Sequence, residues 1–148
     1  QATLTVAGCT VPDSERHPAM EVVPFLNKSI PDQRARFEEL WRDADLFILP
    51  SRFEAAGLVF CEASAYGLPI VAADTGGISS LVREGKNGYT IGHEDEPEGY
   101  IERIIGLAED PEAYGQLAVS ARAEFDERLN WDTWGRTVGE QIRRVLGE

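Results

Sequence analysis

The sequence is poor in residues that mark several whole classes of protein. Its two cysteines, Cys9 and Cys61, have no metal-ligand spacing, which excludes a cysteine-built metal site and leaves a reducing cytoplasm as the expected compartment. Cys61 lies inside an apolar run and reads as a small buried hydrophobe. The two histidines, His17 and His93, each stand alone among polar or turn residues and read as surface positions. Positive charge is scarce. Fourteen Lys and Arg face 26 Asp and Glu, and the net charge of −12 argues against nucleic acid or an anionic membrane as main partner. A small phosphorylated ligand stays open, because a local pocket can override the global field. No signal peptide and no apolar run long enough to span a bilayer is present. Repeats, low-complexity tracts and linkers are also missing, so residues 1–148 are expected to form one domain. No methionine starts the chain, which opens at Gln1 directly into a strand-like segment and reads as a piece of a larger protein.

What is there is ordinary globular material. Hydrophobic content of 43% and charged content of 27% lie near the averages for folded domains. A chain of this length buries about 70% of the surface that its unfolded form exposes. "ATLTVA" (Ala2 to Ala7) alternates as a strand. "EVVPFL" (Glu21 to Leu26) is a second strand, whose Pro24 points to an edge or a bulge. The connection between them, Gly8 to Met20, is near the minimum for a parallel crossover and holds no obvious helix. It is therefore irregular or incomplete. From Gln33 to Ala44, Phe37, Leu40, Trp41 and Ala44 repeat at helical spacing. "LFIL" (Leu46 to Leu49) is a short apolar strand stopped by Pro50.

Leu58 to Tyr66 reads as a helix that is apolar on nearly every face, closed by Gly67 and followed by the strand "PIVAA" from Pro69. A turn at "DTGG" (Asp74 to Gly77), a short helix near Ile78 to Val82 and a small strand, Tyr89 to Ile91, come next. Three helices finish the chain. Their stripes carry Ile101, Ile104, Ile105 and Ala108; Tyr114, Leu117, Ala118, Ala121 and Phe125; and Trp134, Val138, Ile142 and Val145. Trp41, Trp131 and Trp134 lie on or beside such stripes and are expected in the core.

Short apolar strands alternating with helices predict an α/β fold with a parallel, Rossmann-like sheet covered on both faces. In such sheets ligands bind at the carboxyl ends of the strands. The loops to watch follow Leu26, Leu49 and Ala73. The second of these leads into "EAAGLVFCEA" (Glu54 to Ala63), where eight of ten residues are apolar or glycine and the other two are glutamates. A helix start presents unpaired backbone N–H groups and partial positive charge, and Gly57 allows close approach, so the position suits a phosphate. Glu62 falls about 7 Å further along the helix, where a ribose attached to a pyrophosphate would lie. Glu54 lies on the other side, where a group beyond the pyrophosphate projects. A glutamate near a helix start is favourable by about 0.3–1 kcal/mol in any case. Glu62, however, is flanked by Phe60, Cys61, Ala63 and Ala65, and a buried, unpaired carboxylate costs several kcal/mol. The ligand implied is a nucleoside diphosphate bearing a hydroxyl-rich group, the geometry of a nucleotide sugar. Asp74 ends a strand beside this site and could contact ligand or cap the turn.

The whole stretch "PSRFEAAGLVFCEASAYGLPIVAADTGG" (Pro50 to Gly77) resembles the glycosyltransferase group 1 family, retaining enzymes of the GT-B fold. The shared pattern is Glu54, seven residues, Glu62, then Ala63, Gly67 and Pro69, a strand, and the Gly76–Gly77 turn. "ELWRDADLFILPS" before it and "LVREGKNGYTI" after it agree, and the resemblance runs from Leu4 to about Leu146. It implies the C-terminal, donor-binding half of a GT-B enzyme, which acts with an N-terminal acceptor domain. Glu54 is then the catalytic-site contact to the donor sugar, and Glu62 holds the ribose hydroxyls. Backbone amides around Ala56, Gly57 and Leu58 hold the diphosphate, while Asn27 and Lys28 lie beside the base. The donor implied is a UDP-, GDP- or ADP-sugar, with no cofactor and no bound metal. Stabilising the leaving diphosphate is the main electrostatic contribution of this half.

Three departures qualify the match. Ala56 stands where the family often has Phe, and Phe53 precedes the glutamate instead. Ser79 and Ser80 follow the Gly-Gly turn, where a glutamate is usual. The basic residues that bind the diphosphate belong to a strand upstream of Gln1, and Arg52 reads as a solvated arginine rather than their replacement. "DTGG" also raises a sugar-nucleotide epimerase of GT-B type, which expects acidic residues directly after the turn; Ser79 and Ser80 argue against it. A non-catalytic nucleotide-binding or interaction domain would tolerate loss of either glutamate, and both are present.

Overall fold

The computed structural model describes residues 2–147. They divide into two compact units, Gln1–Asp43 and Ala44–Glu148. In the first, strands β1 (Leu4–Ala7) and β2 (Met20–Val23) pair in parallel, from Leu4 opposite Met20 to Ala7 opposite Val23. The crossover between them is irregular, with a single 3-10 turn at Asp13–Glu15. β2 starts one residue earlier than expected and ends before Pro24. Proline has no N–H to continue the ladder, so the segment Pro24 to Leu26 is not strand. Helix α1 (Pro31–Asp43) follows; proline suits its first position, where the missing N–H has no helical partner. Trp41 is buried, as expected, and meets Phe37 edge to face at 5.9 Å between centroids.

The second unit carries β3 (Phe47–Leu49), α2 (Val59–Ala65), β4 (Ile70–Ala73), α3 (Ile78–Leu81) and β5 (Gly88–Ile91). The strands form a parallel sheet in the order β3-β4-β5. All four residues of β4 are buried, because the strand is central and covered on both faces. Register and alternation assign those faces. Ile48, Val71 and Ile91 share one side, where Tyr100 and Ile104 of helix α4 (Glu98–Glu109) cover them. Phe47 and Ile70 share the other, where Phe47 meets the fully buried Phe60 of α2 edge to face at 6.0 Å.

Helices α5 (Pro111–Glu127) and α6 (Trp131–Leu146) complete the unit. Each opens on a side-chain cap. Asp110 accepts from the Ala113 N–H at 2.9 Å, and Asn130 accepts from Thr133 at 2.9 Å. Leu117 and Ala121 of α5 are buried as the stripe predicts.

Two expectations fail. α4 buries Tyr100 and Leu107, while Ile101 and Ile105 are about half exposed. The helix has apolar residues on two faces, and the sheet covers the one led by the aromatic ring. Trp131 and Trp134 are not core: they are 69% and 58% exposed and pack edge to face on each other at 5.7 Å. None of the described residues of α6 is buried. Its period places Trp134, Val138, Ile142 and Val145 on one face, but a period does not supply a partner to cover that face. No helix among the described residues is long and apolar enough to cross a membrane.

Candidate functional site

The three strands of the second unit are parallel, so their carboxyl ends share one edge. The loop from Pro50 to Leu58 leaves β3 there, and the turn Asp74 to Gly77 leaves β4 beside it. Glu54 sits in the first of these loops, partly buried. Its carbonyl oxygen accepts the Gly77 N–H at 3.1 Å, which joins the two loops. The Thr75 hydroxyl adds a longer contact, 3.4 Å, to the Arg52 carbonyl. The Arg52 side chain is exposed.

Gly57 turns the chain from this loop into α2 with φ of +57°, a conformation that side chains other than glycine rarely take. Space also demands glycine: a Cβ would lie 2.6 Å from the Phe60 ring and 3.2 Å from Cγ of Glu54. The helix starts one residue later than expected. The N–H groups of Phe60 and Cys61 bond back to the Gly57 and Leu58 carbonyls, both at 3.0 Å. The Leu58 and Val59 amides precede any residue that could be paired within the helix. Glu62, partly buried, stands in the first turn. Glu54 and Glu62 therefore flank Gly57 on either side, one in the loop and one on the helix. Ala56 and Leu58 are exposed between them. Burial pushes the Cys61 thiol up, Arg128 opposing and Glu62 adding to it, which disfavours the thiolate.

Asn27 and Lys28 belong to the first unit, in the loop between β2 and α1. The Asn27 side chain accepts from Ser29 N–H at 3.0 Å, its backbone N–H donates to Gln33 at 2.7 Å, and both side chains of the pair are exposed. The Lys28 ammonium lies over the Phe37 ring, 3.9 Å from its centroid. Asp74 is exposed; its backbone N–H donates to Ile91 at 2.7 Å, and no side chain caps α3. His17 and His93 are exposed as expected, although His93 does have a neighbour, the Glu96 carboxylate at 3.6 Å.

Behind the two glutamates lies a polar brace that residue patterns did not reveal. Asn87, fully buried, donates to Ser64 of α2 at 3.1 Å and to the Leu81 carbonyl at 2.9 Å, and accepts from the Arg83 N–H at 2.7 Å. It ties α2, the end of α3 and the start of β5 together. Arg128 donates to the Ser80 and Leu81 carbonyls at 2.9 and 2.8 Å and pairs with the buried Glu124. In the sequence Asn87 looks like an ordinary turn residue of "EGKNG", and Arg128 and Glu124 like a solvated helix pair. Only spacing of four between the charges was visible.

The chain is similar to known proteins over most of its length. The family described as glycosyl transferases group 1 matches residues 1–110. A D-inositol 3-phosphate glycosyltransferase of Mycolicibacterium gilvum is 35% identical over 138 residues, covering 89% of this chain and 29% of that protein. The Streptomyces griseus protein of the same name is 36% identical over 119 residues, covering 80% and 25%. Among solved structures, Anabaena Alr3699/HepE in complex with UDP-glucose matches with a TM-score of 0.70 and 25% identity, over 86% of this chain and 33% of that one. Sucrose-phosphate synthase of Thermosynechococcus elongatus matches at a TM-score of 0.71 and 21% identity, over 87% and 31%, a likeness of fold. These solved neighbours have the GT-B fold. The chain thus spans under a third of the length of the curated relatives it matches.

Proposed function

The chain belongs to the glycosyl transferases group 1 family, and from that membership we propose that it is the donor-binding domain of a retaining glycosyltransferase. The reaction moves a sugar from a nucleoside diphosphate sugar to an acceptor hydroxyl. The bond from the anomeric carbon to the diphosphate breaks, and a bond to the acceptor oxygen forms on the same face. An N-terminal domain of the same protein supplies the acceptor site.

The observation that carries this reading is the pair of glutamates flanking Gly57 at the carboxyl edge of a parallel sheet. Ligands bind at that edge in folds of this kind. In this reading Glu62 accepts hydrogen bonds from the ribose hydroxyls, and Glu54 from hydroxyls of the donor sugar. The backbone from Ala56 to Leu58 holds the diphosphate and stabilises the charge that develops as it leaves. Asn27 and Lys28 are assigned to the base on the family resemblance alone. That Alr3699/HepE has been seen with UDP-glucose and with UDP supports a uridine donor among the candidates UDP-, GDP- and ADP-sugar.

The test is a thermal-shift and amide-NMR titration with UDP, GDP and ADP, with wild type beside Glu62→Ala. One nucleotide should stabilise the wild type, by about 2.7 kcal/mol at a hundredfold excess over Kd. Hydrogen bonds to a charged acceptor contribute about 1.5–3 kcal/mol, so the variant should bind that nucleotide roughly 10- to 100-fold more weakly. Equal affinity in the two proteins would remove Glu62 from the site. No response to any of the three would remove the donor-binding reading.

A further inference from the structure

We propose that the Thr75–Gly77 turn is a positioning element for Glu54, holding the main chain of that residue and hence the reach of its carboxylate. The proposal rests on the reading of Glu54 as the donor-sugar contact. The contact between turn and loop is backbone against backbone. A Cβ on Gly76 would lie 1.9 Å from the Glu54 carbonyl oxygen, and one on Gly77 would lie 2.1 Å from that of Ala55. The Gly77 N–H closes the junction by donating to Glu54.

Glycines in a strand-to-helix turn are commonly explained by the turn's own backbone. That explanation serves Gly76, whose φ is +56°. It does not serve Gly77, whose φ of −95° any residue can adopt. What Gly77 lacks room for is a side chain against the Glu54 loop. The turn in its place is firmly mounted. Asp74 N–H donates to Ile91 at 2.7 Å, Ile78 is fully buried, and Arg128 holds the carbonyls of Ser80 and Leu81 at the far end of α3. At Gly57 too a side chain would crowd this residue, since a Cβ there would lie 3.2 Å from Cγ of Glu54. Glycines thus make room for both the main chain and the side chain of Glu54.

The experiment uses the full-length protein that carries this chain, with four variants: Gly77→Ala, Glu54→Gln, the two combined, and Thr75→Val. To clear the new methyl group the loop must move by about 1 Å, and a displacement of that size costs about a hundredfold in rate. The expected result for Gly77→Ala is therefore a kcat lower by about two orders of magnitude, with a much smaller loss of affinity for the free nucleoside diphosphate, because Ala56 adjoins the displaced Ala55 carbonyl. In the Glu54→Gln background the same substitution should cost far less, because both act through one carboxylate. Should Gly77→Ala fail to fold, Thr75→Val keeps the backbone and removes only the hydroxyl contact to Arg52. Its smaller loss of kcat must likewise vanish in the Glu54→Gln background. Full kcat in Gly77→Ala beside a crippled Glu54→Gln overturns the positioning role and leaves the role of Glu54 standing. An undiminished penalty in the combined variant, or a parallel loss of nucleotide affinity, also overturns it. An active Glu54→Gln removes the catalytic-site reading itself, and the positioning role with it.

Discussion

Asn87→Ala should destabilise the protein more than any surface substitution, and the size follows from its bonds. The side chain is fully buried and makes three hydrogen bonds, to Ser64, Leu81 and Arg83. Truncation leaves a hydroxyl, a carbonyl and an N–H without this partner, each worth about 1–3 kcal/mol when it stays unsatisfied. The Leu81 carbonyl keeps its bond from Arg128, and Arg83 is exposed, where water can reach its N–H, so about 3 kcal/mol is the expected total. With a urea slope of about 2 kcal/mol per molar, the unfolding midpoint should fall by roughly 1.5 M. Ser64→Ala removes one partner only and should cost about 1 kcal/mol. Combined with Asn87→Ala it should cost less than alone, because the bond is already gone. Equilibrium urea unfolding followed by far-UV circular dichroism measures all three. A loss below about 1 kcal/mol for Asn87→Ala would show that the three groups are solvated rather than braced.

Two further outcomes follow from buried polar groups. Burial, with the Glu96 charge adding to it, pushes the Tyr100 hydroxyl up to about 12. The folded state therefore holds this proton more tightly than the unfolded chain, and stability should fall as pH rises from about 10 to 12. Tyr100→Phe should flatten that part of a thermal-midpoint profile. Among the described residues the hydroxyl has no hydrogen-bond partner, so the same variant should be near neutral or stabilising at pH 7; a strong loss there would contradict both points. Arg128→Met should cost about 2–4 kcal/mol, since it leaves the buried Glu124 carboxylate only the longer contact to Arg83, at 3.5 Å, and removes the donor to the Ser80 carbonyl. Adding Glu124→Leu should recover part of that loss in urea unfolding. A double variant less stable than the single one would mean that the Arg83 contact, not Arg128, is what holds Glu124.

Much of this protein follows from its residues taken in order. The unbroken apolar run Ile70 to Ala73 can only be a strand buried on both faces, and it is the fully buried centre of the sheet. Gly57, set between two glutamates in an otherwise apolar stretch, marks the junction of loop and helix, and that is where the chain turns with positive φ. Proline bounds are less plain: the strand expected to run through Pro24 to Leu26 ends before it, and the helix expected from Gln33 opens at Pro31.

Tertiary structure alone decided which faces are covered. Ile101 and Ile105 of α4 lie on one apolar face and Tyr100 and Leu107 on another, and the sheet buries the latter. The stripe of α6 has the right period yet no buried residue. Asn87 looks like a turn residue until three partners from distant segments converge on it. The junction of Glu54 with Gly77, like that of Arg52 with Thr75, joins residues 23 positions apart, and no local pattern encodes it. Periodicity and turn chemistry are properties of neighbours along the chain, whereas burial and backbone contact depend on what the fold brings to the other side.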